Sequence, residues 1–157
     1  MEIQLLVIII IMIACSAFFS ASETALTGAN RIRLKSMAEN GSKGAKMALK
    51  LLDRYDKVIT TILIGNNIVN ITASSLGTIL ATAIVGPDNA ALVSTVVLTL
   101  VILAFGEVMP KSLAKDHSEG LTVATSGIIT FLTFIFTPLS ALFILLKKLA
   151  NKLFGNK

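Results

Sequence analysis

Three short stretches hold polar side chains where the surrounding residues are apolar. In "FFSASETAL" (Phe18–Leu26) and the turn before it, Ser16, Ser20 and Glu23 fall at i, i+4, i+7, on one face of a helix. In "IGNNIVNI" (Ile64–Ile71) and the turn after it, Asn66, Asn70 and Ser74 fall at i, i+4, i+8, again on one face. In "FGEVMPKSLA" (Phe105–Ala114), Glu107 closes an apolar run and Pro110 follows three residues later. Proline has no N–H, so in α-register the carbonyl of Gly106 loses its helical donor. Gly106 has no side chain to keep a ligand from that carbonyl. Pro110 is thus a structural kink that puts a carboxylate and a freed carbonyl side by side, as the broken helices of transporters do at cation sites.

Each stretch has a plainer explanation. Serines bond back to their own helix, asparagines tie membrane helices together, and a glutamate can end a helix in water. Taken together, the three supply hydroxyl, amide carbonyl, backbone carbonyl and one or two carboxylates. His117 and Cys15 lie off the pattern. Ligation by oxygen alone suits a hard cation, whereas zinc and copper recruit nitrogen or sulfur. Few carboxylates among neutral oxygens fit Mg²⁺ or Na⁺ better than a tight Ca²⁺ cage. Spacing does not choose between these two. No nucleophile–base pair is visible, so an enzyme is not expected.

The elements that must position these residues are membrane helices. Of 157 residues, 54% are hydrophobic and 15% charged, against about a quarter charged in soluble domains, and the mean hydropathy is +0.83. The apolar runs reach the ~20 residues that a helix needs to cross a bilayer. The net charge of +5 does not indicate nucleic acid, because the basic residues border apolar spans, where they face cytoplasm and anionic lipid. One cysteine allows no internal disulfide. "MIAC" at Met12–Cys15 resembles a lipoprotein cleavage site, but no Lys or Arg precedes it and the apolar run continues, so a retained first span is expected.

A single transmembrane domain over 1–157 is expected, with a first span at 1–28, interfacial helices at 30–57, a broken or re-entrant segment at 58–85, and spans at 90–110 and 121–146. The stretch 30–57 holds 8 of the 14 Lys and Arg residues. A short helix, Arg31–Glu39, is broken by "NGSKG" at Asn40–Gly44. Beyond it Ala48, Leu51, Leu52 and Tyr55 form an apolar face, opposite Lys43, Lys46, Lys50 and Arg54, which are assigned to the lipid headgroups with the apolar face in the lipid boundary. This stretch and the tail, with four Lys and no acid, should both be cytoplasmic. Three apolar segments lie between them, so one should not cross. The second, dense in Asn, Ser and Gly, is the candidate. That places "GPDN" inside, "KSLAKDHSEG" outside, the N-terminus outside and the C-terminus in the cytoplasm of a multi-pass plasma (inner) membrane protein. Phe131, Phe134, Phe136 and Phe143 with Ser126 and Gly127 offer a face for packing or lipid.

"FFSASETAL", "IGNNIVNI" and "FGEVMPKSLA", in this order, resemble the signature segments of the transmembrane domain of the CorC/cyclin M family, also called haemolysin-C-like. The resemblance covers nearly the whole chain. It implies an all-α integral membrane protein, a homodimer whose subunits have three membrane-spanning helices and a cytoplasmic belt of juxtamembrane helices. It implies Mg²⁺ transport, as export coupled to Na⁺ entry. By the family pattern the ion site draws on Ser20, on Asn66 or Asn70, and on Gly106 and Glu107, with Ser16 added from the residue pattern. Cytoplasmic CBS domains, expected in a full-length protein, are absent from these residues. Two alternatives share the same sequence: a Mg²⁺-binding module that regulates a partner transporter, and a structural dimerising anchor.

Overall fold

The structure is a computed structural model and describes residues 2–154. Among the described residues it is all helical: α1 (Glu2–Gly28), α2 (Arg31–Glu39), α3 (Lys43–Leu52), α4 (Tyr55–Val85), α5 (Pro87–Val101), a π-helical segment (Ile102–Val108), α6 (Met109–Asp116), α7 (Ser118–Ile135) and α8 (Thr137–Phe154). Four stretches are long and apolar enough to cross a membrane: α1, α4, the continuous rod Pro87–Asp116, and α7. At 1.5 Å per residue α4 and the rod are each about 45 Å long, longer than the ~30 Å hydrocarbon layer.

The second segment is not broken. Its polar residues sit inside one 31-residue helix. Several satisfy themselves there: Asn67 Nδ2 donates to the Leu63 carbonyl at 2.9 Å, and the Thr72, Thr78 and Thr82 hydroxyls donate to carbonyls four residues back. The irregular element is the π-helical segment in the third. There the Met109 N–H bonds to the Ala104 carbonyl, five residues back. A wide turn of this kind absorbs a residue that cannot join an α-ladder, and Pro110 follows it directly. The expected single span 121–146 is divided at Phe136, two residues before Pro138.

α1 and α4 pack antiparallel, with contacts Thr27–Tyr55, Phe19–Gly65 and Ser16–Asn66. After a turn at Gly86, where φ is +82° and glycine is favoured, α5 returns along α4 through Thr78–Ser94 and Gly77–Leu98. α6 then runs beside the lower half of α1.

α2 and α3 are capped by Asn30, whose side chain accepts from the Ile32 and Arg33 amides, and by Ser42, which accepts from Ala45. Lys43, Lys46, Lys50 and Arg54 are exposed as expected. Part of the apolar face packs on protein, while Tyr55 stays exposed. Ala45, Ala48 and Leu51 are buried, and α7 runs alongside α3: Gly44 abuts Val123, and Met47 reaches Gly127. Phe19, Leu26, Leu51, Val58, Ile62 and Ile129 form a core where α1, α3, α4 and α7 meet.

This packing corrects the expected arrangement of ends. Glu119 lies 3.4 Å from the Asn30 amide and 3.7 Å from the Arg33 guanidinium, and Gly28 abuts Ser118. Residues 111–120 therefore share an end with the basic helices instead of lying opposite them.

A candidate cation site between α1, α4 and the π-helical segment

The three sequence stripes converge. Ser16 faces α4 and the π-helical segment, and its hydroxyl is fully buried. It lies 3.0 Å from Asn66 Oδ1, to which it donates, and 3.5 Å from the Gly106 carbonyl. Three oxygens of three elements thus surround one proton. Adjacent oxygens of an octahedron with ~2.1 Å bonds stand about 3.0 Å apart; the Ser16–Asn66 pair has that spacing, which is also that of a hydrogen bond, and the Gly106 carbonyl stands farther off. Glycine at 106 is required by this closeness: a Cβ there would stand 2.9 Å from the Ser16 hydroxyl.

One turn along α4, Asn70 Nδ2 donates to Glu107 Oε1 at 3.5 Å. Helical side chains lean toward the N-terminus of their helix, which brings Glu107 back from the π-helical segment toward Asn70. Asn70 Oδ1 is buried and has no hydrogen-bond partner. Among the described residues no Lys, Arg or His pairs with Glu107. A buried carbonyl oxygen without a partner costs about 1–3 kcal/mol, and a half-buried anion beside it adds to that cost. Both costs fall if a cation sits against these oxygens.

Ser20 is fully buried and its hydroxyl has no partner. It lies one turn along α1 from Ser16, and no hydrogen bond joins it to Asn66, Asn70, Gly106 or Glu107. The structure therefore gathers Ser16, Asn66 and Gly106 in one cluster and Asn70 and Glu107 in a second, with Ser20 beside them. Glu23, the third member of the α1 stripe, is engaged elsewhere: Lys111 Nζ lies 3.4 Å from its carboxylate. A cavity of about 360 Å³ opens there, lined by Glu23, Thr24, Thr27, Lys111, Lys115 and Ser118. No group of three or more His, Cys, Asp or Glu side chains is placed to hold a metal among the described residues, so any cation here rests on one carboxylate and neutral oxygens.

Sequence reasoning missed two features. One is Gly65, whose place is taken up by the Phe19 ring: a Cβ would stand 2.4 Å from Cζ. The "GN" pair was its signal. The other is the π-helical turn, for which Pro110 was the signal but which the four-residue register could not predict.

Residues 7–157 match the family model described as the cyclin M transmembrane N-terminal domain. A UPF0053 protein of Haemophilus influenzae is 41% identical over 153 residues, 98% of this chain and 36% of that protein. The UPF0053 inner membrane protein YfjD of Escherichia coli is 40% identical over 142 residues, 90% of this chain and 33% of that protein. A polyamine export protein of H. influenzae is 26% identical over 143 residues, 83% of this chain and 33% of that protein. The chain spans about a third of the length of these curated relatives. It belongs to the cyclin M transmembrane domain family, and is a multi-pass membrane protein of that family.

Proposed function

We propose that this domain moves Mg²⁺ across the plasma membrane, as export driven by Na⁺ entry, through the oxygen cluster around Asn70 and Glu107. The observation that carries this is the buried, unpartnered Asn70 Oδ1 beside a carboxylate with no cationic partner. Mg²⁺ dehydrates reluctantly and is held by one or two carboxylates with waters retained. Glu107 supplies the charge. Asn70 Oδ1, Ser20 and the Gly106 carbonyl replace some waters, and Ser16 and Asn66 hold the frame. Na⁺, with half the charge, competes for the same oxygens from the other side. The domain is proposed to act without catalytic chemistry, as a homodimer whose exposed Lys43, Lys46, Lys50 and Arg54 meet lipid headgroups.

For topology, α1, α4 and the rod Pro87–Asp116 are proposed to cross, while α2, α3 and α7 form the cytoplasmic layer. α7 lies along the amphipathic α3, which favours it as the segment that stays on one side. Three crossings keep the N-terminus outside and the tail in the cytoplasm, with the Gly86 turn outside.

A relative's name raises polyamines. A polyamine carries its charges several ångströms apart and needs acids at matching spacing. At the meeting of α1, α4 and the π-helical segment, Glu107 has no cationic partner among the described residues, whereas Glu23 is held by Lys111. One compact dication fits this charge better.

The test is the thermal stability of the purified chain in detergent with Mg²⁺, Ca²⁺, Na⁺ and spermidine in turn. A ligand that binds only the folded state stabilises it by mass action. Mg²⁺ is expected to give the largest shift at millimolar concentration. A larger shift with spermidine would replace Mg²⁺ as the cargo, and no shift with any cation would leave a structural anchor.

A further inference from the structure

α3 and α7 run side by side in the same direction, since Gly44 abuts Val123 and Met47 reaches Gly127. Past that close contact a cavity of about 800 Å³ opens between them, at the first turn of α4. From α3 and the turn after it, Met47, Lys50, Leu51 and Arg54 line the cavity at i, i+3, i+4, i+7. Thr130, Thr133, Phe134 and Thr137 line the other wall at the same spacing, and Lys57 and Val58 come from α4. Pockets that hold small organic molecules measure about 300–1,000 Å³.

The α3–α4 wall is cationic. Lys50, Arg54 and Lys57 have no ion-pair partner among the described residues. Asp53, which also lines the cavity, is taken by Arg31. Lys57 is half-buried, whereas Lys43 and Lys46 stand exposed outside the lining. The floor is apolar, with Leu51 and Val58 buried, and so is the rim, where Phe134 is 80% exposed. A free anion in water would leave those apolar surfaces uncovered, while an acyl chain covers them. The threonines complete the wall. Thr130 and Thr133 donate to the Ser126 and Ile129 carbonyls at 2.7 Å each, and Thr137 donates to the Thr133 carbonyl at 2.7 Å. Their protons are spent on the helix, so their oxygens are left to accept from a headgroup hydroxyl.

We propose that this cavity is a site for one anionic phospholipid with a hydroxylated headgroup, of the phosphatidylglycerol kind. Its phosphate sits on Lys50, Arg54 and Lys57, its headgroup hydroxyls on the threonines, and its acyl chain over Met47 and Phe134. Basic pockets beside membrane helices on the cytoplasmic side suit anionic headgroups. The proposal rests on the placement of α3 and α7 at the cytoplasmic surface given above, and is independent of which cation the domain moves. A lipid seated there joins α3, the first turn of α4 and α7, so these helices pack most firmly in a membrane that supplies it.

The test uses the purified 157-residue chain, delipidated in neutral detergent without Mg²⁺. Its melting temperature is read against added dioleoylphosphatidylglycerol or dioleoylphosphatidylcholine. Phosphatidylglycerol is expected to stabilise at a concentration at least tenfold lower than phosphatidylcholine. Lys50→Gln with Arg54→Gln should cut that preference at least fivefold, and Lys57→Gln alone at least threefold. Lys43→Gln with Lys46→Gln removes the same charge from the same helix outside the cavity, and should change it less than twofold. The lipid-free melt of each variant shows that it folds. Equal losses in the two pairs would reduce the effect to diffuse charge and overturn the site. Equal action of the two lipids, or the same stabilisation by glycerol 1-phosphate, would overturn the lipid assignment. Because Mg²⁺ is absent, failure of the transport function leaves this readout untouched.

Discussion

Replacing Glu107 by Gln removes one charge and little else. Gln keeps the oxygen that Asn70 Nδ2 reaches at 3.5 Å, so the melting temperature without Mg²⁺ should change little. The effect on Mg²⁺ follows from electrostatics. A dication held through one water stands about 4.5 Å from the carboxylate. At that distance the attraction is about 1.8 kcal/mol with bulk water's dielectric constant, and about 7 kcal/mol at an effective value near 20. Even the lower figure weakens binding roughly 20-fold, since about 1.4 kcal/mol is a factor of ten. For wild type at 100 times Kd, ligand stabilisation is about 2.7 kcal/mol. A 20-fold weaker site at the same Mg²⁺ retains about 1 kcal/mol. The Mg²⁺-dependent shift in melting temperature should fall to about a third or less. Direct contact between metal and carboxylate makes the loss larger. A full shift in Glu107→Gln would refute the assignment, because no placement of a dication near Glu107 is indifferent to that charge.

Ser20→Ala should raise the melting temperature slightly without Mg²⁺, since it removes a buried hydroxyl without a partner. It should reduce the Mg²⁺ shift by less than Glu107→Gln, because water can replace one neutral ligand. Gly106→Ala brings a Cβ within 2.9 Å of the Ser16 hydroxyl and should cost about 1 kcal/mol or more in thermal denaturation; adding Ser16→Ala should return most of it, and a purely additive pair would contradict the contact. Gly65→Ala drives a Cβ to 2.4 Å from the Phe19 ring and should destabilise by about 1–3 kcal/mol. Combined with Phe19→Ala, its own cost should largely vanish in the same melt.

The helices and the oxygen set were legible because each was written at one period. Runs such as Ile3–Ile13 and Ala90–Phe105 announce membrane helices by length, and Ser16, Asn66, Asn70 and Glu107 stand out as polar residues placed where burial is expensive. What stayed hidden depends on comparing distant segments. The density of Asn, Ser and Gly after Val58 looks like a break, yet a helix satisfies such residues by bonding them to its own carbonyls, as Asn67 and Thr72 do. The partner of α3 was equally hidden. Its apolar face suits lipid and protein alike, and only the fit of Gly44 and Gly127 against neighbouring side chains assigns it to α7. Ser20 shows the reverse case: the stripe placed it with Ser16, but one helical turn separates it from the bonded cluster.

The central claim is that Mg²⁺ passes through the Glu107 site. Purified chain in liposomes loaded with a Mg²⁺-sensitive dye, under an opposing Na⁺ gradient, tests it most directly. Wild type should move Mg²⁺ at a rate that rises with the Na⁺ gradient, and Glu107→Gln should fall to the rate of empty liposomes. Equal Mg²⁺ flux in the two proteins would contradict the claim.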